Sequence, residues 1–416
     1  MEAYIKEAER ELRPVFERIE EIEYANQARV LSAFQEERVA LRHFAPTSGY
    51  GYDDIGRDTL DRVFARALQA EDALVRPQIT SGTQAIFTAL SGLLEPGDVM
   101  LSVTGKPYDT LESAIGITGN ERGSLQRQGV VYRQVELKDG QLDTDAAIAA
   151  LDERVRVLYF QRSRGYAWRN AILPADMRET FQRLHQAAPQ AAIVVDNCYG
   201  EFVCMDEPTA VGADIIIGSL IKNPGGGVAP TGGYIAGKAR YIERVANRLT
   251  VPGMGREVGS YAGSYAPFYQ GLFLAPHVVA QAVKTAALFA RVFEKAGMTS
   301  MPASDAVRSD IVQALRFDSA EALCLLCRSI QAVSPVDSFL VPEPWDMPGY
   351  NDQVIMAAGA FVQGSSIELS ADGPLSTPYT AYIQGGLTYA HGRIAACETL
   401  RALHQAGLIN IGGTAQ

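Results

Sequence analysis

Lysine is scarce in this sequence, and one of its seven lysines stands apart from the rest. Lys6, Lys106, Lys138, Lys238, Lys284 and Lys295 sit in polar or mixed surroundings. Lys222 instead follows the apolar run Asp214-Ile215-Ile216-Ile217 and faces Gly225, Gly226 and Gly227. A lysine partly removed from water loses some of its preference for the charged form and can serve as an amine nucleophile or base. On this stretch alone, Lys222 reads either as a Schiff-base lysine or as a cation that neutralises an anion at a loop.

Four other features could do chemistry. Ser81-Gly82-Thr83 opens an apolar helix, so backbone N–H groups and two hydroxyls face any anion placed there, although an N-cap needs only one of these residues. Tyr108 follows the strand-like run Asp98 to Val103. Asp196 ends the apolar run Ala191 to Val195, and a buried carboxylate there needs a cation or hydrogen-bond donors. Ser219 lies three residues before Lys222, within reach of the same anion. A loop rich in glycine, Gly49-Tyr50-Gly51-Tyr52-Asp53-Asp54-Ile55-Gly56-Arg57, adds two tyrosines and an arginine suited to binding.

The elements that must position these residues follow from periodicity. Near-continuous apolar strands alternate with helical patterns between about residues 98 and 217, the mark of a mostly parallel α/β sheet. The polar candidates fall at strand C-termini, where open α/β sheets bind ligands. Residues 1–45 read as an N-terminal helical arm, with Pro14 dividing it, 46–290 as a large α/β domain, and 291–416 as a smaller α+β domain. In the large domain Pro77–Thr80 reads as a strand. In the small domain Asp310–Phe317, Ala322–Val333 and Ile367–Ser370 read as strands, Gln384–Ala406 as a helix, and Gly412–Gln416 as a frayed tail.

Composition bounds the rest. The 416 residues are 47% hydrophobic and carry a net charge of −11, which argues against nucleic acid or an anionic membrane as partner. The first residues are acidic and amphipathic with no signal-peptide core, and no run of 18 apolar residues appears. The five cysteines form no disulfide framework, and Cys324 and Cys327 read as buried thiols, so a cytoplasmic location is expected. His43, His185, His277, His391 and His404 form no metal-ligand pattern, and no metal is expected.

In chain order the candidates run anion cup, ring stacker, acid, lysine. Pyridoxal 5'-phosphate needs such a set: an amine for its aldehyde, donors for its phosphate, and a carboxylate for its ring nitrogen. With these motifs the sequence resembles the fold-type I pyridoxal-phosphate enzymes of cysteine and methionine metabolism, and within them the methionine γ-lyase-like, or aluminium-resistance, proteins. The resemblance runs along nearly the whole chain, through the tyrosine–arginine loop, Thr80 to Ala85, Tyr108 to Thr110, Gln161 to Tyr166, Val195 to Glu201, Gly218 to Gly233, Glu368 to Pro374 and Gln384 to Thr388.

The resemblance implies a fold of the aspartate-aminotransferase type and a role for each residue. Lys222 holds the cofactor and moves the proton, Asp196 pairs with the pyridinium, and Tyr108 stacks on the ring and acts in catalysis. Ser81, Gly82, Thr83 and Ser219 hold the phosphate. Tyr52 and Arg57 reach the phosphate of a neighbouring subunit, which implies a homodimer or homotetramer with shared active sites, and Tyr50 is the alternative to Tyr52 and a substrate contact. Ser376 stands where the family carries an arginine, which leaves the substrate carboxylate to Arg162, Arg164 or Arg169. The implied reaction is β- or γ-elimination from an amino acid with a sulfur- or oxygen-linked side chain, canavanine among the options. An aminotransferase or γ-substitution enzyme is the near alternative, and a non-catalytic anion-binding protein the distant one.

Overall fold

The computed structural model describes residues 1–119, 121–347 and 352–411. Seven strands build the first sheet: β1 (Asp72–Arg76), β2 (Val99–Ser102), β3 (Val131–Gln134), β4 (Val155–Gln161), β5 (Ala192–Asp196), β6 (Ile215–Ser219) and β7 (Gly233–Gly237). Their order is β1-β7-β6-β5-β4-β2-β3. The pairs from β3 to β6 are parallel, and β7 is antiparallel to both neighbours. Strands β5 and β6 are buried along their whole length, which is why they read as unbroken apolar runs.

Register delivers the site. Gln161 at the end of β4 lies opposite Asp196 at the end of β5, and Asp196 lies opposite Ile217, two residues before Ser219. Three consecutive parallel strands thus end at one edge with Gln161, Asp196 and Ser219 side by side. The helix Gly82–Leu93 packs on this sheet, with its N-terminus toward the same edge.

A second sheet, all antiparallel, has five strands in the order β10-β11-β12-β9-β8: β8 (Ser300–Met301), β9 (Val312–Phe317), β10 (Val354–Ala357), β11 (Ser370–Pro374) and β12 (Tyr379–Gln384). A 30-residue helix, Ala266–Lys295, connects the two regions, and the expected domain boundary at 290/291 falls inside it. By length and composition this helix could cross a membrane, but 72% of its most apolar window is buried in the protein. It is a core helix. The arm helices Glu2–Glu11 and Arg13–Glu36 separate at Leu12, with Pro14 in the first turn of the second. They dock on the long helix of their own chain, where the Tyr4 hydroxyl donates to the Val292 carbonyl at 3.1 Å.

The glycine loop after Lys222 is locked to this long helix. A Cβ on Gly271 would come within 2.3 Å of the Gly225 carbonyl oxygen, and one on Gly226, whose φ is +54°, within 2.4 Å of the Gly271 carbonyl oxygen. The two backbones touch because neither residue has a side chain.

Several local expectations fail. Pro77–Thr80 is a turn, and the strand expected there is β1, just before it. Ala322–Val333 is no strand: Ala320–Ala332 is a helix, capped where the Ser319 side chain accepts from the Ala322 N–H. A short apolar run does not separate strand from helix by periodicity alone, and the cap was the missed sign. Cys324 and Cys327 lie three apart on the buried face of that helix as free thiols. Of Ile367–Ser370 only Ser370 is strand, and the last helix begins at Tyr389 because Gln384 ends β12. The expected frayed tail, Gly412–Gln416, lies outside the described residues.

Candidate active site

A cavity of about 520 Å³ opens between the C-terminal edge of the first sheet and the second sheet. It is of the size that encloses a small ligand. Ser81 caps the helix Gly82–Leu93, its hydroxyl accepting from the Gln84 N–H at 3.1 Å. Ser81, Gly82 and Thr83 of that first turn line the cavity. A Cβ at Gly82 would press to 3.3 Å on both the Cys198 sulfur and the Ser219 Cβ, so glycine lets the turn sit against the strand ends. The Tyr108 hydroxyl donates to the Thr83 hydroxyl at 3.0 Å, and its backbone N–H donates to the Gln161 side chain at 2.9 Å. These bonds hold the Tyr108 ring along one wall. The Ser219 hydroxyl is buried and has no hydrogen-bond partner, a state that costs free energy unless a ligand supplies one.

Charge is arranged across the same space. Asp196 is buried and accepts from the Cys198 N–H at 3.1 Å. Burial pushes its carboxyl up, while Lys222 and the hydrogen bonds from Cys198 pull it down. The Lys222 Nζ lies 4.0 Å from the centroid of the Tyr199 ring, a cation–π contact. Burial alone would lower the Lys222 pKa, but Cys198, Tyr199, Asp196 and Tyr108 around it raise it on balance. Burial, and then the negative charge of Asp196, raise the Tyr108 phenol, which therefore stays protonated. A protonated phenol can donate a proton, whereas Lys222 is held here as an ammonium, contrary to the expectation that burial would favour its neutral form.

The structure brings Ser81, Gly82, Thr83, Tyr108, Asp196, Ser219, Lys222 and Arg164 to one cavity. The other expected residues do not line it. Arg162 is fully buried behind the strand ends, donating to Asn197 Oδ1 at 2.7 Å and lying 3.5 Å from Glu207. An arginine in an internal ion pair has no fork left for a ligand. Arg169 is likewise occupied, its Nη2 donating to the Ser163 carbonyl at 2.7 Å and the Gln161 carbonyl at 3.2 Å. Arg57 is buried and braces its own loop, donating to the Gly51 carbonyl at 2.9 Å and to Asp58 at 2.8 Å. Tyr50 and Tyr52 point to solvent, 65% and 60% exposed. Ser376 sits in the hairpin turn between β11 and β12, outside the cavity lining.

Sequence reasoning gave no role to Gln161, Cys198, Tyr199, Asp372 or Gln384, all of which line the cavity. Gln161 ends β4, and Cys198 and Tyr199 follow the end of β5, a positional sign that was available. Asp372 and Gln384 arrive from the second sheet by antiparallel pairing, which no local pattern announces.

Glu201 lies just behind the site. Its Oε1 accepts from the Tyr234 hydroxyl at 2.8 Å, and its Oε2 is buried without a partner. Burial pushes its pKa up to about 8 from an ordinary 4.5. The folded protein thus holds a proton that the unfolded chain releases. The stability this contributes is complete below about pH 4.5 and falls away as pH rises through about 8. In Glu201→Gln the thermal midpoint should fall less steeply across that window than in the parent. Equal slopes would count against a proton held at Glu201.

Fold and cavity together define a class. A mostly parallel seven-stranded sheet with the site at its strand ends, followed by a smaller domain, is the architecture of fold-type I pyridoxal-phosphate enzymes. The chain belongs to the methionine gamma-lyase family, whose model matches residues 1–404. It is 50% identical over 405 residues to the uncharacterized protein YnbB of Bacillus subtilis (strain 168), covering 97% of this chain and 96% of that one. It is 50% identical to a carbon-sulfur lyase involved in aluminum resistance from Clostridium novyi NT, with a TM-score of 0.92 over 96% of this chain and 94% of the other. At the level of fold alone it matches the pyridoxal-5'-phosphate dependent protein YhfS from Escherichia coli, with 18% identity and a TM-score of 0.62 over 92% and 97% of the two chains.

Proposed function

We propose that this protein is a pyridoxal-phosphate-dependent lyase that breaks a carbon–sulfur or carbon–oxygen bond β or γ to the α-carbon of an amino acid. The observation that carries this reading is the convergence of an anion cup, an orphaned buried hydroxyl, a buried acid and a lysine on one cavity. These residues fit the cofactor. The helix turn at Ser81, Gly82 and Thr83, with the Ser219 hydroxyl, suits its phosphate. Asp196 suits its ring nitrogen, Tyr108 its ring face, and Lys222 its aldehyde.

When bound, the cofactor supplies an electron sink that stabilises negative charge at the substrate α-carbon. The chain supplies the rest. With its nitrogen neutral, Lys222 would take the proton from the α-carbon, and for γ-elimination would serve again as the acceptor of a further proton from the β-carbon. Tyr108, kept neutral by burial, gives its hydroxyl proton to the departing sulfur or oxygen. Arg164 lines the cavity and has a buried Nη2 without a partner, so it is the arginine available for the substrate carboxylate.

A homodimer or homotetramer is part of the same reading. The exposure of Tyr50 and Tyr52 on a loop braced by Arg57 supports it. A cytoplasmic location agrees with five free thiols, four of them buried.

The purified holoprotein should release ammonia from one of cystathionine, methionine, cysteine, O-acetylhomoserine or canavanine, supplied singly. Turnover that demands a second oxo acid and releases no ammonia would make it an aminotransferase. A colourless protein that binds only simple anions would remove the enzyme reading altogether.

A further inference from the structure

The Lys222 nitrogen has a direct neighbour that the chemistry above leaves without a role. Its Nζ lies 4.0 Å from the centroid of the Tyr199 ring, and Tyr199 lines the cavity. Among the described residues the lysines that form ion pairs are Lys106, Lys238, Lys284 and Lys295, so the Lys222 ammonium meets an aromatic face where those four meet a carboxylate. The ring is held in place from both ends. Its backbone has a φ of +72°, in the left-handed region that a tyrosine rarely occupies. Its hydroxyl lies 3.2 Å from the Ser366 hydroxyl, on the approach to β11. The segment before Ser366 is clasped in turn by the buried Glu368 carboxylate, which accepts from the Phe361 and Val362 N–H groups at 2.9 Å each. Backbone strain of this kind persists only where the surrounding structure fixes it, and it gathers at active sites.

An aromatic face attracts an ammonium and gains little from a neutral amine. The ring therefore favours the form that Lys222 takes on accepting a proton. We propose that Tyr199 is a positioning residue whose ring seats the ammonium that Lys222 becomes when it takes the α-proton. In that step the bond between the α-carbon and its hydrogen breaks, the electron pair stays with the carbon, and the proton ends on Nζ. The tie from Tyr199 to Ser366 makes the second region of the chain part of this seat. The inference rests on the function proposed above, since it takes Lys222 as the base.

The test compares Tyr199→Phe, which keeps the ring and loses the hydroxyl, with Tyr199→Leu, which loses the ring. In apoprotein whose lysines carry carbon-13 at Cε, the Lys222 resonance is assigned by its absence from Lys222→Ala. The ring should displace it from the resonances of the other lysines in the parent and in Tyr199→Phe, and the displacement should vanish in Tyr199→Leu. In the holoprotein, exchange of the α-proton of L-alanine into deuterated water should slow in kcat by about tenfold for Tyr199→Leu, with KM within about threefold, and stay within about threefold of the parent for Tyr199→Phe. Tyr199→Gly, which accepts a φ of +72°, replaces the leucine variant if that variant does not fold. An undisplaced Lys222 resonance in the parent, a kcat for the ringless variant within about threefold of the parent, or an equal loss in Tyr199→Phe overturns the inference, while an intact visible band on the same samples leaves the cofactor reading standing. A parent without the band removes the cofactor reading and this inference together. A parent with the band that exchanges no α-proton removes Lys222 as the base, and the inference with it.

Discussion

Lys222→Ala is expected to lower kcat/KM by about 10⁴-fold or more and to remove the visible absorption band of the lysine-linked cofactor. Two functions are lost at once: the amine that holds the cofactor and the base that moves the α-proton. Alanine should be tolerated by the fold. The side chain contacts the Tyr199 face across 4.0 Å and makes no ion pair that other residues depend on. Removing the ammonium withdraws one of the charges that favour ionised Asp196, which can answer by taking up a proton. The thermal midpoint of the apoprotein should therefore move by only a few degrees. Turnover retained within tenfold of the parent, with the band still present, would show that Lys222 is not the cofactor lysine.

The second large effect is expected at Asp196. Asparagine matches aspartate in shape and can still accept from the Cys198 N–H, now at 3.1 Å, so Asp196→Asn should fold. What it loses is the negative charge. Without that charge the ring nitrogen is not held protonated, and the electron sink weakens. We expect kcat/KM to fall by about 10³-fold, the scale seen when one preorganised electrostatic group is removed from a site. The Lys222 pKa should also drop in the apoprotein, because Asp196 is one of the groups that raise it. A change in kcat/KM of less than about threefold would assign the ring nitrogen to some other group.

Much of this site was legible in the sequence because it is carried by local patterns. An apolar strand that ends on Asp196, a small-residue turn that opens the helix at Gly82, and a lysine set against glycines each announce themselves within a few residues. Parallel strands then place their ends together, so a chain-order list of candidates became a spatial cluster. The arginines were harder to sort. Arg162, Arg164 and Arg169 lie within eight residues, and only packing shows that two of them are spent on internal partners while Arg164 reaches the cavity. The small domain was read least well. Its helix at Ala320–Ala332 is as apolar as a strand, and Asp372 and Gln384 meet the site only through the pairing of β11 with β12.

The backbone contact between the Lys222 loop and the long helix carries a consequence for how this protein can change. Gly225 and Gly271 meet without side chains, so there is no rotamer at this contact that could repack around a new residue. The loop and the helix behave as a dovetail joint, and a part cut for one joint does not fit another. Grafting a lysine loop from a distant relative would need the matching piece of helix with it. Diversification of substrate range is thereby steered toward the second sheet, whose side chains reach the cavity without bearing on that joint.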